Sequence, residues 1–125
     1  MADEITMAGS IQIRATNMVE SFQPPGLSID LASNAGSGGS QSIGTSVEAI
    51  AKGDTTDGGV FFFRNTDETN YVEIGPTSDD TATGTFYPTI KLLAGEYAIG
   101  RLANADIFAR SNTAATILQF RMLSP

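Results

Sequence analysis

The chain has no cysteine, no histidine and no tryptophan. Without cysteine there is neither a disulfide framework nor a thiolate metal site, which fits synthesis in a reducing cytosol. Without histidine the commonest general base and the commonest transition-metal ligand are both missing. The absence of tryptophan removes the most useful residue for stacking on a sugar ring. Positive charge is also scarce: seven Lys and Arg stand against 14 Asp and Glu, a net charge of −7. Phosphate binding depends on clustered cations, so nucleic acid is not an expected partner. The basic residues, Arg14, Lys52, Arg64, Lys91, Arg101, Arg110 and Arg121, each stand alone in sequence, and only a fold could gather some of them. No apolar run approaches the ~20 residues of a membrane-spanning helix. Met1-Ala2-Asp3-Glu4 is acidic and has no apolar core, so no secretory signal and no membrane association are expected.

What is present is turn chemistry and short alternating runs. At 125 residues with 13 Gly and five Pro, the chain is expected to form one domain over 1–125. A chain of this size buries roughly two-thirds of its unfolded surface, enough for one core. The richest stretch, Gly59 to Leu102, reads as four strands: Val60–Phe63, Tyr71–Ile74, Phe86–Leu93 and one beginning at Tyr97. Aromatic and β-branched runs bounded by Gly, Pro, Asn and Asp are the strand signature. Before it, Ile5–Arg14 reads as a strand interrupted at Gly9, with Ile11 and Ile13 inward and Gln12 and Arg14 outward. Met18–Phe22 is a short further strand. Beyond Pro24-Pro25-Gly26, Leu27, Ile29 and Leu31 alternate inward against Ser28 and Asp30. Ile43–Lys52 reads as strand or irregular structure, with a helical turn capped by Thr45 or Ser46 as the alternative. Asp57-Gly58 fits a tight hairpin turn. Asp106–Arg110 and Ile117–Leu123 complete the strands, the last with Leu118, Phe120 and Met122 buried and Gln119 and Arg121 exposed. No sustained helical period occurs. The expected fold is all-β, an antiparallel sandwich of jelly-roll or Greek-key kind.

The Gly/Ser-rich segment at 33–42, SNAGSGGSQS, reads as a flexible loop. It is no phosphate cradle, because it lacks a Gly-Lys-Ser/Thr ending and a following amphipathic helix. Three acidic pairs, Asp54 with Asp57, Asp67 with Glu68, and Asp79 with Asp80, lie in expected loops, where hard cations find oxygen ligands. Their ordinary reading is solvated loop charge, and no metal or cofactor is expected. Glu73 and Glu96 are the one carboxylate pair that suggests glycosidase chemistry. Outward charges that discourage strand-edge aggregation explain them equally well. Phe61, Phe62, Phe63, Phe86, Tyr87 and Tyr97 would make either core or a sugar-stacking platform. No catalytic residue is assigned.

One pattern goes further. FFFRNTDETNYVEIG carries Asn65, Asp67, Thr69, Asn70, Tyr71, Val72, Ile74 and Gly75. Downstream come Ile90, Lys91, Leu92, Gly95, Glu96, Arg101, Leu102, Ile107, Ala109, Asn112, Thr113 and Ala114, and upstream lies Gln41-Ser42-Ile43-Gly44-Thr45-Ser46. Over the C-terminal two-thirds, this order resembles small virion structural proteins of tailed bacteriophages. The resemblance implies a non-enzymatic capsid decoration or cement protein on the outer capsid surface, made in the bacterial host cytoplasm. Its expected partners are the major capsid protein and further copies of itself, as a dimer or trimer. The alternative is a carbohydrate- or receptor-binding module on a tail or head appendage.

Overall fold

The computed structural model describes residues 5–30, 36–55 and 59–124. The chain divides into two compact units, Met1–Ala32 and Ser33–Ser124. The two four-stranded sheets of the sandwich lie within the second unit.

In the first unit, β1 (Ile5–Met7) pairs antiparallel with β4 (Leu27–Ile29), and β2 (Ile11–Ala15) pairs with β3 (Met18–Phe22). The break at Ala8-Gly9-Ser10 separates β1 from β2 rather than bulging one strand. Register puts Ile11 beside Phe22, Ile13 beside Glu20 and Ala15 beside Met18 on one face of the β2–β3 hairpin. The expected common face of Ile11 and Ile13 thus exists, but it is not buried. Ile11 is 65% exposed, Phe22 53% and Met18 49%. Leu27 likewise departs from its expected inward place at 54% exposed. Both pairs are two-stranded sheets, and alternation alone does not supply a second layer to cover them. Leu31 and Asp57-Gly58 lie outside the described residues.

Among the described residues, the second unit holds eight strands in two four-stranded antiparallel sheets. The first sheet runs β10 (Tyr97–Arg101), β7 (Val60–Asn65), β12 (Thr116–Leu123), β5 (Gly36–Ile43). The second runs β6 (Glu48–Ala49), β11 (Phe108–Ser111), β8 (Val72–Gly75), β9 (Ile90–Leu92). Pairings nest about the middle of the segment: β5 with β12, β6 with β11, β7 with β10, β8 with β9. That is a long hairpin rolled into two layers, a jelly roll. Its core is one cluster in which Phe61, Phe63, Leu118, Phe120 and Met122 of the first sheet join Val72, Ile74, Leu92 and Ala109 of the second. Leu118, Phe120 and Met122 are buried while Gln119 and Arg121 are exposed, as the alternation predicts.

Two expectations change. The Gly/Ser segment is not a loop from Gly36 onward. Gly36–Ile43 pairs residue for residue with the whole of β12. The small residues are tolerated because the neighbouring strand and a second set of bonds hold the backbone. Asp54 accepts from the Gly36 N–H at 2.9 Å, Ser37 Oγ donates to the Ala51 carbonyl at 2.7 Å, and Gln41 accepts from the Ala51 N–H at 2.9 Å. Residues 33–35 lie outside the described residues. Phe86–Leu93 also shortens, to Ile90–Leu92. Phe86 instead forms an isolated bridge with Thr77, and the excursion folds back so closely that a Cβ on Gly75 would lie 2.0 Å from the Tyr87 carbonyl oxygen.

Candidate binding face

Several residues of the Asn65–Ala114 pattern are engaged in structural hydrogen bonds. Asn65, fully buried at the end of β7, donates from Nδ2 to the carbonyls of Asn70 and Leu92 at 2.8 and 3.0 Å. Its Oδ1 accepts from the Asp67 N–H at 2.9 Å, so every polar group of the amide is satisfied. Asp67 Oδ2 accepts from the N–H groups of Asn70 (2.6 Å) and Thr69 (3.0 Å). Those donors, Asn70 first, hold the Asp67 carboxyl below its ordinary value of 3.8. The next turn is tied in by Asn112 Oδ1, which accepts from the Tyr71 N–H at 3.1 Å, and by Thr113 Oγ1, which donates to Asn70 Oδ1 at 2.8 Å. Ser111 and Thr116 hydroxyls meet at 2.7 Å. The pattern therefore encodes a hydrogen-bonded knot joining the 65–71 and 111–116 turns.

The acidic candidates also have structural partners. Asp79 Oδ1 accepts from the Thr81 N–H and Oγ1, and Asp80 accepts from Asn104. Asp57 lies outside the described residues. Among the described residues, no group of three or more acidic side chains is placed to hold a metal ion. Glu73 lies on β8, whereas Glu96 lies in the turn between β9 and β10. Glu73, on β8, meets Arg110 Nε at 3.1 Å, and that guanidinium lies 5.0 Å from the Phe86 ring centroid. Glu96 accepts from the Leu93 N–H at 2.7 Å and closes the β9–β10 turn.

The six aromatic candidates separate as well. Phe61 and Phe63 point into the core, stacked at 4.7 Å. Tyr87 is exposed in the excursion between β8 and β9. Phe62 and Tyr97 share the outer face of the first sheet, their ring centroids 6.2 Å apart. Register fills in the rest of that face: Tyr97, Arg64, Gln119 and Ser40 in one row, Ile99, Phe62, Arg121 and Gly38 in the next, Arg101 beyond. Tyr97 is 63% exposed, Ile117 44% and Ile99 38%. No Asp or Glu occurs in any of the four strands. The face thus collects three of the chain's seven cations, Arg64, Arg101 and Arg121. Among the described residues, none of these three forms an ion pair, whereas Lys52 meets Asp106 at 2.6 Å and Arg110 meets Glu73. Gly38 gives Arg121 its place: a Cβ there would lie 2.6 Å from Arg121 Cδ. Sequence reasoning missed this face because its cations are singly spaced; the outward positions of β7, β10 and β12 were the available signal.

No protein-family model matches the chain, and no curated protein matches it. Among solved structures, a protein from the work "Bacillus endospore appendages form a novel family of disulfide-linked pili" aligns with a TM-score of 0.44 and 14% identity. The alignment covers 79% of this chain and 100% of that one. A likeness that loose carries no functional conclusion.

Proposed function

We propose that the protein is a non-enzymatic virion subunit that decorates the outside of an assembled phage capsid and cements neighbouring capsomers. The observation that supports this is the outer face of the first sheet, where Tyr97, Ile99 and Ile117 are exposed. It offers arginine and aromatic side chains, the residue types enriched at protein interfaces, with no carboxylate on its strands. The resemblance of the Asn65–Gly75 and Ile90–Ala114 segments to phage virion proteins supplies the setting. The net charge of −7 suits an outer surface, since a strongly acidic protein lining the interior would be repelled by packaged DNA. The test is to add purified protein to particles lacking it. Binding at regular lattice positions, with release of DNA at a higher temperature, is expected. Binding at a single vertex, or no gain at saturation, rejects the cement role.

A second reading, a carbohydrate-binding appendage, is favoured by the Phe62–Tyr97 pair alone. Glycan-array binding that is lost in Tyr97→Ala would select it.

A further inference from the structure

We propose that the outer face of the first sheet receives the β2–β3 hairpin of a second copy of this chain, joining copies head to tail. This deepens the decoration reading by naming an occupant for its face.

The hairpin is amphipathic. One face carries Ile11, Ile13, Met18 and Phe22 around a single carboxylate, Glu20, and its opposite face carries Gln12, Arg14, Val19 and Ser21. Ile11 and Phe22 are more than half exposed. Two-stranded hairpins are marginal in water unless a third strand or another layer covers them. The first sheet is the complementary surface. Phe62, Ile99 and Tyr97 supply apolar area, and Arg64 and Arg121 flank Phe62, neither in an ion pair among the described residues. Glu20, in the middle of the hairpin's apolar face, is the charge such a surface selects. An arginine buried beside an unpaired neighbour would be costly, whereas a matched carboxylate fixes register and orientation.

The two surfaces are different, so the contact is heterologous. Copies joined this way close into a ring or continue as an open chain. A ring around a lattice axis is the form that suits a capsid surface.

The test uses the full chain in solution, without particles, by sedimentation velocity over a concentration series. Wild type is expected to sediment faster as concentration rises. Two variants change exposed side chains only: a hairpin variant, Ile11→Asp with Phe22→Asp, and a face variant, Arg64→Glu with Arg121→Glu. Each is expected to stay monomeric to at least about tenfold higher concentration, a loss of about 1.4 kcal/mol or more. Their thermal melts should match wild type. Mixed together, the two variants should form a 1:1 complex that grows no further, because one retains the intact face and the other the intact hairpin. A wild type that remains monomeric at every concentration overturns the proposal, whether the face is then covered by the chain's own hairpin or by a different partner. Undiminished association of either variant alone also overturns it, as does a mixture with no complex, which would mean like surfaces meet. Capsid binding is read separately on particles, so the decoration reading can fail while self-association stands, and the reverse.

Discussion

At the scale of single residues, the most informative side chain is Asn65. It is buried and bonds two carbonyls and one N–H, tying the end of β7 to the 65–71 turn and to β9. Asn65→Leu should cost about 1–3 kcal/mol for each buried group left unpaired. Asn65→Asp should be no milder, because a carboxylate cannot donate to the carbonyls of Asn70 and Leu92. Urea melts of both variants check this, and a mild Asn65→Asp would show that the two donor bonds matter little. Asp67 adds a pH signature. Its carboxyl is held low by the Asn70 and Thr69 N–H groups. Its stabilising contribution is therefore fully present above the ordinary carboxylate value of 3.8 and is lost as pH falls through the lower folded value. Asp67→Asn should flatten the acid limb of the stability profile without shifting its neutral plateau's pH dependence. Gly75→Ala should destabilise by about 1–3 kcal/mol or more, since the added methyl meets backbone rather than a side chain that can swing away.

At the scale of elements, β12 and β5 show what can be read from sequence and what cannot. Leu118, Phe120 and Met122 alternate with Gln119 and Arg121, so β12 announces both its period and its buried face. Phe120→Ala should then cost about 3–5 kcal/mol in denaturant melts. Its partner β5, GSGGSQSI, has almost no side chains with which to signal anything. Its strand character comes from eight residues of pairing with β12 and from Asp54, Ala51 and Ala49 beyond its other edge. Composition describes what a segment would do alone, and here the ladder decides. Deleting Gly36–Ser40 should therefore unfold the sandwich or lower its stability sharply, whereas deletion from a true loop would change it little. The arginine face was illegible for a related reason. Arg64, Arg101 and Arg121 sit on three strands far apart in sequence, and only the registers Tyr97 to Arg64 and Arg121 to Phe62 bring them together. The knot built on Asn65 was visible as a motif, but nothing in the residue types distinguished a satisfied turn from a binding signature.

At the scale of the whole molecule, the two compact units differ in what they bury. Among the described residues, the members of the hydrophobic core cluster all lie between Ile43 and Met122. The first unit in turn presents Ile11, Met18, Val19, Phe22 and Leu27 to solvent. A chain starting at Ser33 should accordingly remain folded, with a urea midpoint close to that of the full protein and a smaller m-value reflecting the surface it no longer exposes on unfolding. Self-association and the heat protection of particles should both fall, because the fragment keeps the arginine face but has no hairpin to offer its neighbour. Added in excess to the full chain, the fragment should cap growing assemblies at their free hairpins and lower the average mass measured by sedimentation. A fragment that loses its cooperative melt would show that the first thirty-two residues are part of the folding unit. A folded fragment that still protects particles fully would place attachment in the sandwich alone, with the hairpin serving some other contact.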